Sequence, residues 1–212
     1  MDKITRGKFI AIEGGDGSGK GTVIQVLKDS LSGSDVIFTR EPGGTKLGDE
    51  IREMLQRHSE DEMSVLTELL LFYADRAEHL EKKIKPALAS GRHVITDRFS
   101  LSTLAYQIYG QQRSDYLDKF RIIDQIVVET NPDLYILLDL NPEVAMERAT
   151  KNNRAELSRF DLKGIDFYRN VRVGYISNIS RYKGKIVDVN DKSPSEVSRE
   201  VLKIVRNFLE IK

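Results

Sequence analysis

The sequence predicts an α/β fold in which a five-stranded parallel sheet carries helices on both faces. Short apolar runs alternate with longer segments whose apolar residues recur every three or four positions. Near-continuous apolar runs are typical of parallel strands that are buried on both faces. No internal repeat or linker divides the 212 residues, so we expect a single domain that spans residues 1–212.

The alternation places five strands and seven helical segments along the chain. The strands are expected at residues 9–12, 36–38, 93–96, 134–138 and 185–189. Helical patterns cover residues 23–31, 51–55, about 62–84, 102–108, 114–130, a segment from Pro142, and the end of the chain to about Ile211. Ser193 and Glu196 form a capping-box pattern with Pro194 at the first helical position, which marks the start of the last helix. Because ligands of such sheets bind beyond the carboxyl ends of the strands, we expect the site there.

Composition and charge exclude several classes of protein. The chain has no cysteine, which removes disulfides, thiolate metal sites and thiol nucleophiles, and its three histidines make a histidine-built metal centre improbable. Lys+Arg and Asp+Glu are 33 each, and this balance argues against a general nucleic-acid-binding protein. No apolar run approaches the ~18 residues of a membrane span and no signal core is visible, so we expect a cytoplasmic protein without membrane contact.

A glycine-rich loop follows the first predicted strand. It consists of Gly14, Gly15, Asp16, Gly17, Ser18, Gly19, Lys20, Gly21 and Thr22, and Gly14, Gly19 and Lys20 have the spacing of a phosphate-binding P-loop. Glycines let successive N–H groups turn toward phosphate oxygens, and the following helix adds the positive end of its dipole. Residues 14–22 are therefore expected to bind a nucleoside triphosphate in a three-layer sandwich like that of the P-loop NTPases.

One position of the loop departs from the usual pattern. A Ser or Thr that ligates magnesium normally follows the lysine directly, whereas here Gly21 intervenes before Thr22. The metal therefore takes either the Thr22 hydroxyl or a water molecule in its place. The Gly-Lys-Gly-Thr ending is similar to the loops of adenylate-kinase-like enzymes, which favours a kinase of small nucleotides over a switch GTPase.

Four further segments suggest what receives the phosphate. They are residues 38–45 with Arg-Glu-Pro-Gly-Gly-Thr, residues 71–76, residues 96–107 with Asp-Arg-x-x-x-Ser-Thr-x-Ala-Tyr-Gln, and residues 138–148. In these segments, and over essentially the whole chain, the sequence resembles the thymidylate (dTMP) kinase family. The resemblance implies transfer of the ATP γ-phosphoryl group to dTMP, with Mg²⁺ as cofactor, in a homodimer. The apolar helices around residues 65–73 and 122–128 are candidates for the dimer contact.

The resemblance also implies roles for individual residues. The acceptor site would contain Asp16, Arg40, Phe72, Arg76, Arg98, Ser102, Thr103, Tyr106 and Gln107. In it, Arg40 and Arg98 would hold the acceptor phosphate, and Asp16 would accept from the 3′-hydroxyl. Phe72 and Arg76 lie four residues apart and so share one helix face. The resemblance implies that Phe72 would stack on thymine and that Arg76 would donate to its O4. Tyr106 would pack beside the deoxyribose and Gln107 would complete the base edge.

The expected catalytic residues are Lys20, Asp97, Arg98 and Arg154. Asp97 would organise magnesium, together with Thr22 where its hydroxyl is the ligand. Residues at about 150–161 resemble a lid, and since Gly17 occupies the P-loop position that is basic in one branch of the family, the transition-state arginine would be the lid's Arg154, with Arg159 as a second candidate. Arg148 and residues 190–192 would flank the adenine.

The assignments have plain structural alternatives. Arg40, Asp97 and Arg98 could form a surface ion-pair cluster, and Arg154 could lie on a solvated helix face. Phe72 and Tyr106 could be ordinary core, Arg76 could pair with Asp75 or Glu78 on its own helix, and Asp139 could only cap the next helix. At the level of the whole protein, the alternatives are another nucleoside monophosphate or deoxynucleoside kinase, and a nucleotide-binding module without catalysis.

Overall fold

A computed structural model describes residues 5–57, 63–151 and 163–211 of the chain. Its centre is a sheet of five parallel strands in the order β2-β3-β1-β4-β5. The strands are β1 (Phe9–Gly14), β2 (Val36–Arg40), β3 (His93–Asp97), β4 (Leu134–Asp139) and β5 (Gly184–Asp188). The predicted fold class is confirmed, and every predicted strand is present within one or two residues.

The described helices cover both faces of the sheet. They are α1 (Lys20–Ser30), α2 (Lys46–Gln56), α3 (Val65–His79), α4 (Lys85–Ala89), α5 (Ser100–Thr103), α6 (Leu117–Val127), α7 (Pro142–Lys151), α8 (Ile165–Asn178) and α9 (Pro194–Leu209). A π-helical turn, Leu80–Ile84, joins α3 to α4, and a second one, Leu104–Gly110, follows α5. Short 3₁₀ turns cover Ser114–Tyr116 and Ile179–Tyr182. Within the part of the chain that the structure describes, no helix is long and apolar enough to cross a bilayer.

The central strand β1 is buried on both sides because it is apolar at every position from Phe9 to Ile12. Phe9 and Ala11 join the core that α3, α8 and the second π-helical turn cover. Ile10 and Ile12 point to the other face, where they pack with α1 and α9. This alternation at period two produces the three-layer arrangement and leaves the carboxyl edge of the sheet open for a site.

The predictions for the helices were partly confirmed. The capping box of Ser193 and Glu196 is formed, with Pro194 in the first turn of α9. The helix predicted over about 62–84 is α3 followed by a π-helical turn, and Pro86, which has no N–H to donate, is the second residue after that turn. The first residue predicted for this helix, Glu62, lies outside the residues that the structure describes.

Helix α8 was not predicted at all. Its buried side chains include Phe167, Val171 and Tyr175, which are spaced four residues apart. This apolar stripe is the signal that would have revealed the helix. The omission matters because α8 contributes Tyr175 to the site described below.

Candidate active site

The P-loop connects β1 to α1 at the carboxyl edge of the sheet. Gly14, Gly17 and Gly19 have φ angles of 150°, 78° and 88°, in the region that only glycine occupies without strain. A Cβ on Gly14 would lie 2.8 Å from the carbonyl oxygen of Leu138, so the loop also needs glycine there for close packing against β4. No side chain caps the N-terminus of α1, whose first N–H groups are thus available to an anion.

Lys20 is buried at the start of α1 and is held by its own loop. Its Nζ donates to the carbonyl oxygens of Gly14 (2.9 Å) and Gly15 (3.0 Å). Burial, followed by the neighbouring charge of Arg98, lowers the pKa of Lys20 to about 8. The ammonium group therefore lies beside the phosphate-binding loop. An anion bound there would raise the pKa of Lys20 back toward its ordinary value.

Asp97, the last residue of β3, has a carboxylate oxygen suited to a cation. Its Oδ1 is buried and has no hydrogen-bond partner in the described part of the chain. An unpaired buried carboxylate oxygen at this edge fits Mg²⁺, which is usually held by one or two carboxylates together with substrate phosphates. Thr22 lies in the first turn of α1 with an exposed side chain, so its role toward the metal stays a prediction.

Arg98 connects the P-loop with the second half of the site. Its Nη1 donates to the Gly14 carbonyl oxygen (3.1 Å), and its Nη2 donates to Asp16 Oδ1 (2.7 Å) and to the Tyr106 hydroxyl (3.2 Å). The residue has a φ of 69°, a left-handed conformation that is uncommon outside glycine. Since local strain of this kind persists only where the surroundings enforce it, the geometry is typical of a functional position.

A cavity of about 140 Å³ begins at Asp16 and Arg98 and extends away from the P-loop. Eight of the nine residues predicted for the acceptor site line it: Asp16, Phe72, Arg76, Arg98, Ser102, Thr103, Tyr106 and Gln107. The ninth, Arg40, does not line the cavity. It is exposed at the end of the edge strand β2, where it pairs with Asp49 at 3.2 Å. Arg52 of α2 also lines the cavity, and it was not predicted as a site residue.

A buried chain of polar groups holds Arg76 at the far end of the cavity. Its Nε donates to Glu41 Oε2 (2.8 Å), and its Nη2 donates to the Thr103 hydroxyl (3.0 Å). The other oxygen of Glu41 contacts His79 Nδ1 at 3.0 Å, and His79 Nε2 contacts the Thr39 hydroxyl at 2.7 Å. Arg76 therefore pairs with Glu41, not with Asp75 or Glu78 on its own helix.

Two buried atoms of the cavity residues lack a partner within the described residues. They are Arg76 Nη1, which is a donor, and Gln107 Oε1, which is an acceptor. The orientation of Gln107 follows from Glu68, because its carboxylate Oε2 accepts from Gln107 Nε2 at 3.4 Å and from Gln111 Nε2 at 2.7 Å. Both atoms belong to side chains that line the cavity, so the lining contains one unpartnered donor and one unpartnered acceptor.

Glu13 lies beneath the site and was not predicted as a site residue. Its carboxylate accepts from the Phe99 N–H (2.9 Å) and from the Ser102 hydroxyl. Burial raises the pKa of Glu13 to about 7, although the hydrogen bond from Ser102 opposes this. Tyr175 of α8 joins the same cluster through its hydroxyl, which lies 2.7 Å from Ser102 Oγ.

The expected adenine side of the site lies at the carboxyl ends of β4 and β5. Asp139 binds Arg172 of α8 through two bonds of 2.7 and 2.8 Å, so its carboxylate does not cap α7. Asn190 donates to the Asp188 carboxylate at 2.6 Å, which holds the turn after β5. The predicted lid residues Arg154 and Arg159 lie outside the described residues, and so does the side chain of Arg148.

Comparisons with known proteins agree with this geometry. The family model described as thymidylate kinase matches residues 12–201. Thymidylate kinase of Clostridium novyi is 37% identical over 209 residues, covering 97% of this chain and 100% of that protein. Thymidylate kinase of Bacillus cytotoxicus is 40% identical over 208 residues, covering 96% and 99%.

A solved structure agrees as well. The crystal structure of thymidylate kinase from Ehrlichia chaffeensis superposes with a TM-score of 0.74 at 31% identity, covering 95% of this chain and 99% of that one. The matches extend over nearly the full length of each relative, and they include the P-loop and the segments around the acceptor cavity. The chain therefore belongs to the thymidylate kinase family, whose members are ATP-dependent nucleoside monophosphate kinases.

Proposed function

We propose that this protein transfers the γ-phosphoryl group of ATP to dTMP, which gives dTDP and ADP. The single observation that carries the choice of acceptor is the pair of unpartnered atoms in the cavity, Arg76 Nη1 and Gln107 Oε1. Thymine offers an acceptor, O4, beside a donor, N3–H, and so complements both atoms. Cytosine presents a donor and an acceptor in the opposite order, and a mismatched buried polar group costs roughly 1–3 kcal/mol.

The rest of the cavity suits a deoxynucleotide. Phe72 is half-buried on the wall, where its ring is available for stacking on a base. Tyr106 donates its hydroxyl proton to Asp16 Oδ2 at 2.9 Å, which holds the Asp16 carboxylate at the cavity wall, where it would accept from a sugar hydroxyl. Arg98 and Arg52 supply positive charge near the P-loop, on the side where the acceptor phosphate would face ATP.

Positioning and charge stabilisation would carry most of the catalysis, as is usual in phosphoryl transfer. The P-loop N–H groups and Lys20 would hold the ATP phosphates, and Arg98 would bridge toward the acceptor. Asp97, with Thr22 or a water molecule, would hold Mg²⁺, which when bound offsets the negative charge of the phosphates. The lid's Arg154 would reach the transferred group in the transition state, and the closed lid would exclude water.

A panel of acceptors tests this proposal. Turnover with ATP is measured for dTMP, dUMP, dCMP and AMP, and we expect dTMP to give the highest kcat/KM. A higher rate with dCMP or AMP would reject dTMP as the acceptor in favour of another nucleoside monophosphate. ATP binding without turnover of any acceptor would instead support a non-catalytic module.

We also propose a homodimer that forms through α3 and α6. These helices pack against each other, and Tyr73 of α3 donates to Asp124 of α6 at 2.8 Å. Their outer faces expose large apolar side chains, namely Leu66, Leu70, Ile122 and Ile126. Ile126 is 68% exposed, which is unusual for isoleucine and favours a partner surface. Light scattering at micromolar concentration should show a dimer, and a monomer there would contradict the proposal.

A further inference from the structure

A second cavity, of about 450 Å³, lies at the opposite end of the sheet from the P-loop. It is enclosed by α6, the second π-helical turn, the start of β4 and the segment between α8 and β5. Tyr135 is the second residue of β4 and Lys183 directly precedes β5, so the cavity belongs to the amino edge of the sheet. In the described part of the chain, no residue lines both this cavity and the acceptor cavity.

Four aromatic side chains contribute to the walls of this cavity. Tyr109, Phe120, Tyr135 and Tyr182 all line it. The rings of Tyr135 and Tyr182 meet edge to face, with centroids 5.2 Å apart and an angle of 70° between the ring planes. Aromatic rings in this arrangement offer faces and edges to a further flat ring. Size and lining therefore fit a small planar molecule.

The charges around the cavity favour an anion. Arg121, Arg181 and Lys183 line it, against a single carboxylate, that of Asp124. Arg121 has an exposed partner in Asp118. Among the described residues, Arg181 and Lys183 make no side-chain hydrogen bond or ion pair, so both cations are available to a ligand.

One residue links this cavity to the acceptor cavity. The Tyr73 hydroxyl donates to Asp124, and the Tyr73 ring packs edge to face on Phe120 at 6.0 Å. The guanidinium carbon of Arg76 lies 4.7 Å from the centroid of the same ring. A ligand that moves Asp124 or Phe120 therefore acts on the side chain that supports Arg76.

We propose that this second cavity binds a small planar aromatic anion, and that its occupancy changes the affinity of the acceptor cavity through Tyr73. The binding site is independent of the proposed function, whereas the coupling extends it. Because coupling between two sites is reciprocal, dTMP must also change the affinity for the anion.

The binding step is tested with 8-anilinonaphthalene-1-sulfonate, an aromatic anion whose fluorescence reports an apolar environment. Wild-type protein should bind it saturably. The Arg181→Glu/Lys183→Glu variant should bind about tenfold or more weakly, because two cations become anions. A matched control, Arg199→Glu/Lys203→Glu, makes the same charge change at exposed positions on α9 and should stay within about twofold of wild type. Absence of saturable binding, or equal binding by the cavity variant and wild type, would overturn the site.

The coupling step is tested by equilibrium binding of dTMP, with and without the saturating probe. In wild-type protein the dTMP Kd should shift by about threefold or more, within the usual range of coupling between sites. Tyr73→Phe keeps the ring but removes the hydroxyl that reaches Asp124, so this variant should lose most of the shift. An unchanged dTMP Kd in wild type would overturn the coupling. Failure of dTMP to bind at all would instead refute the proposed function, while the probe measurements would still decide the second cavity.

Discussion

Arg98 binds Asp16 through Nη2 at 2.7 Å while its Nη1 donates to the Gly14 carbonyl oxygen, so one guanidinium contacts the start of the P-loop and also lines the acceptor cavity. A planar fork with fixed donor directions makes this bridge possible. Donor and acceptor nucleotides would meet at this side chain, and its position determines where the two phosphates would face each other.

Arg98→Lys should lower kcat/KM for dTMP by about a hundredfold or more, because an ammonium is a single charge and cannot replace the two-sided fork. Arg113→Lys is a matched control. Arg113 also binds a carboxylate, that of Asp115, with two bonds, but it does so at the surface, and its replacement should leave kcat/KM unchanged. Steady-state kinetics would check both variants, and an Arg98→Lys enzyme with near-normal kcat/KM would contradict the bridging role.

His79 should act as a positioning residue for Arg76, through Glu41. His79→Gln should raise the KM for dTMP by about threefold to tenfold and should reduce the preference for dTMP over dCMP, with a smaller effect on kcat. His93→Gln serves as the control, because the His93 side chain accepts from the Lys8 N–H and does not line the cavity in the described part of the chain. A purely structural role for His79 would lower the melting temperature but leave the ratio of kcat/KM for the two nucleotides unchanged.

The pKa of Lys20, lowered to about 8 by burial and by Arg98, predicts an alkaline loss of activity. A lysine is charged below its pKa, so kcat/KM for ATP, which reports on the free enzyme, should fall about tenfold per pH unit above pH 8. Lys20→Arg stays charged, and its lower kcat/KM should be flat over the same range. Lys20→Ala should lose most turnover while keeping the fold; undiminished turnover would remove Lys20 from phosphate binding.

Glu13 should make the folded state less stable as the pH rises. The unfolded chain releases this proton near pH 4.5 and the folded protein near pH 7, so the folded state binds more protons between these values. The free energy of unfolding should therefore fall across this interval by roughly 3 kcal/mol from this group, and level off above it. In denaturant unfolding, the free energy of unfolding of Glu13→Gln should not show this fall with pH. The control Glu50→Gln, a change at an exposed position on α2, should still show it.

The predicted transition-state role of Arg154 is tested by comparing two variants, Arg154→Ala and Arg159→Ala. Arg154→Ala should lower kcat by about a hundredfold or more with a smaller change in dTMP affinity, since its contact would form mainly in the transition state. Arg159→Ala should have the weaker effect. Single-turnover kinetics together with dTMP binding would separate the two roles. A change in affinity alone would assign Arg154 to binding, and a larger kcat loss in Arg159→Ala would exchange the two residues.

The site residues were predicted mainly from their neighbours in sequence. The P-loop is a local object, because glycine spacing and the strand and helix on either side determine its backbone. Arg40 shows where this reasoning stops. A residue at the end of a strand is placed at the correct edge of the sheet, but β2 is the outermost strand, and Arg40 pairs with Asp49 and does not line the cavity, so its role toward the acceptor phosphate stays a prediction.

The sequence by itself determined the sheet, the phosphate loop and the family, because hydrophobic periodicity and short motifs are read from consecutive residues. Only the tertiary structure decided which partners the buried polar and charged groups have. Glu41 meets Arg76 across 35 positions, and Tyr175 meets Ser102 across 73. A buried polar or charged group binds the complementary group that packing brings within about 3 Å, and proximity in sequence does not determine that distance.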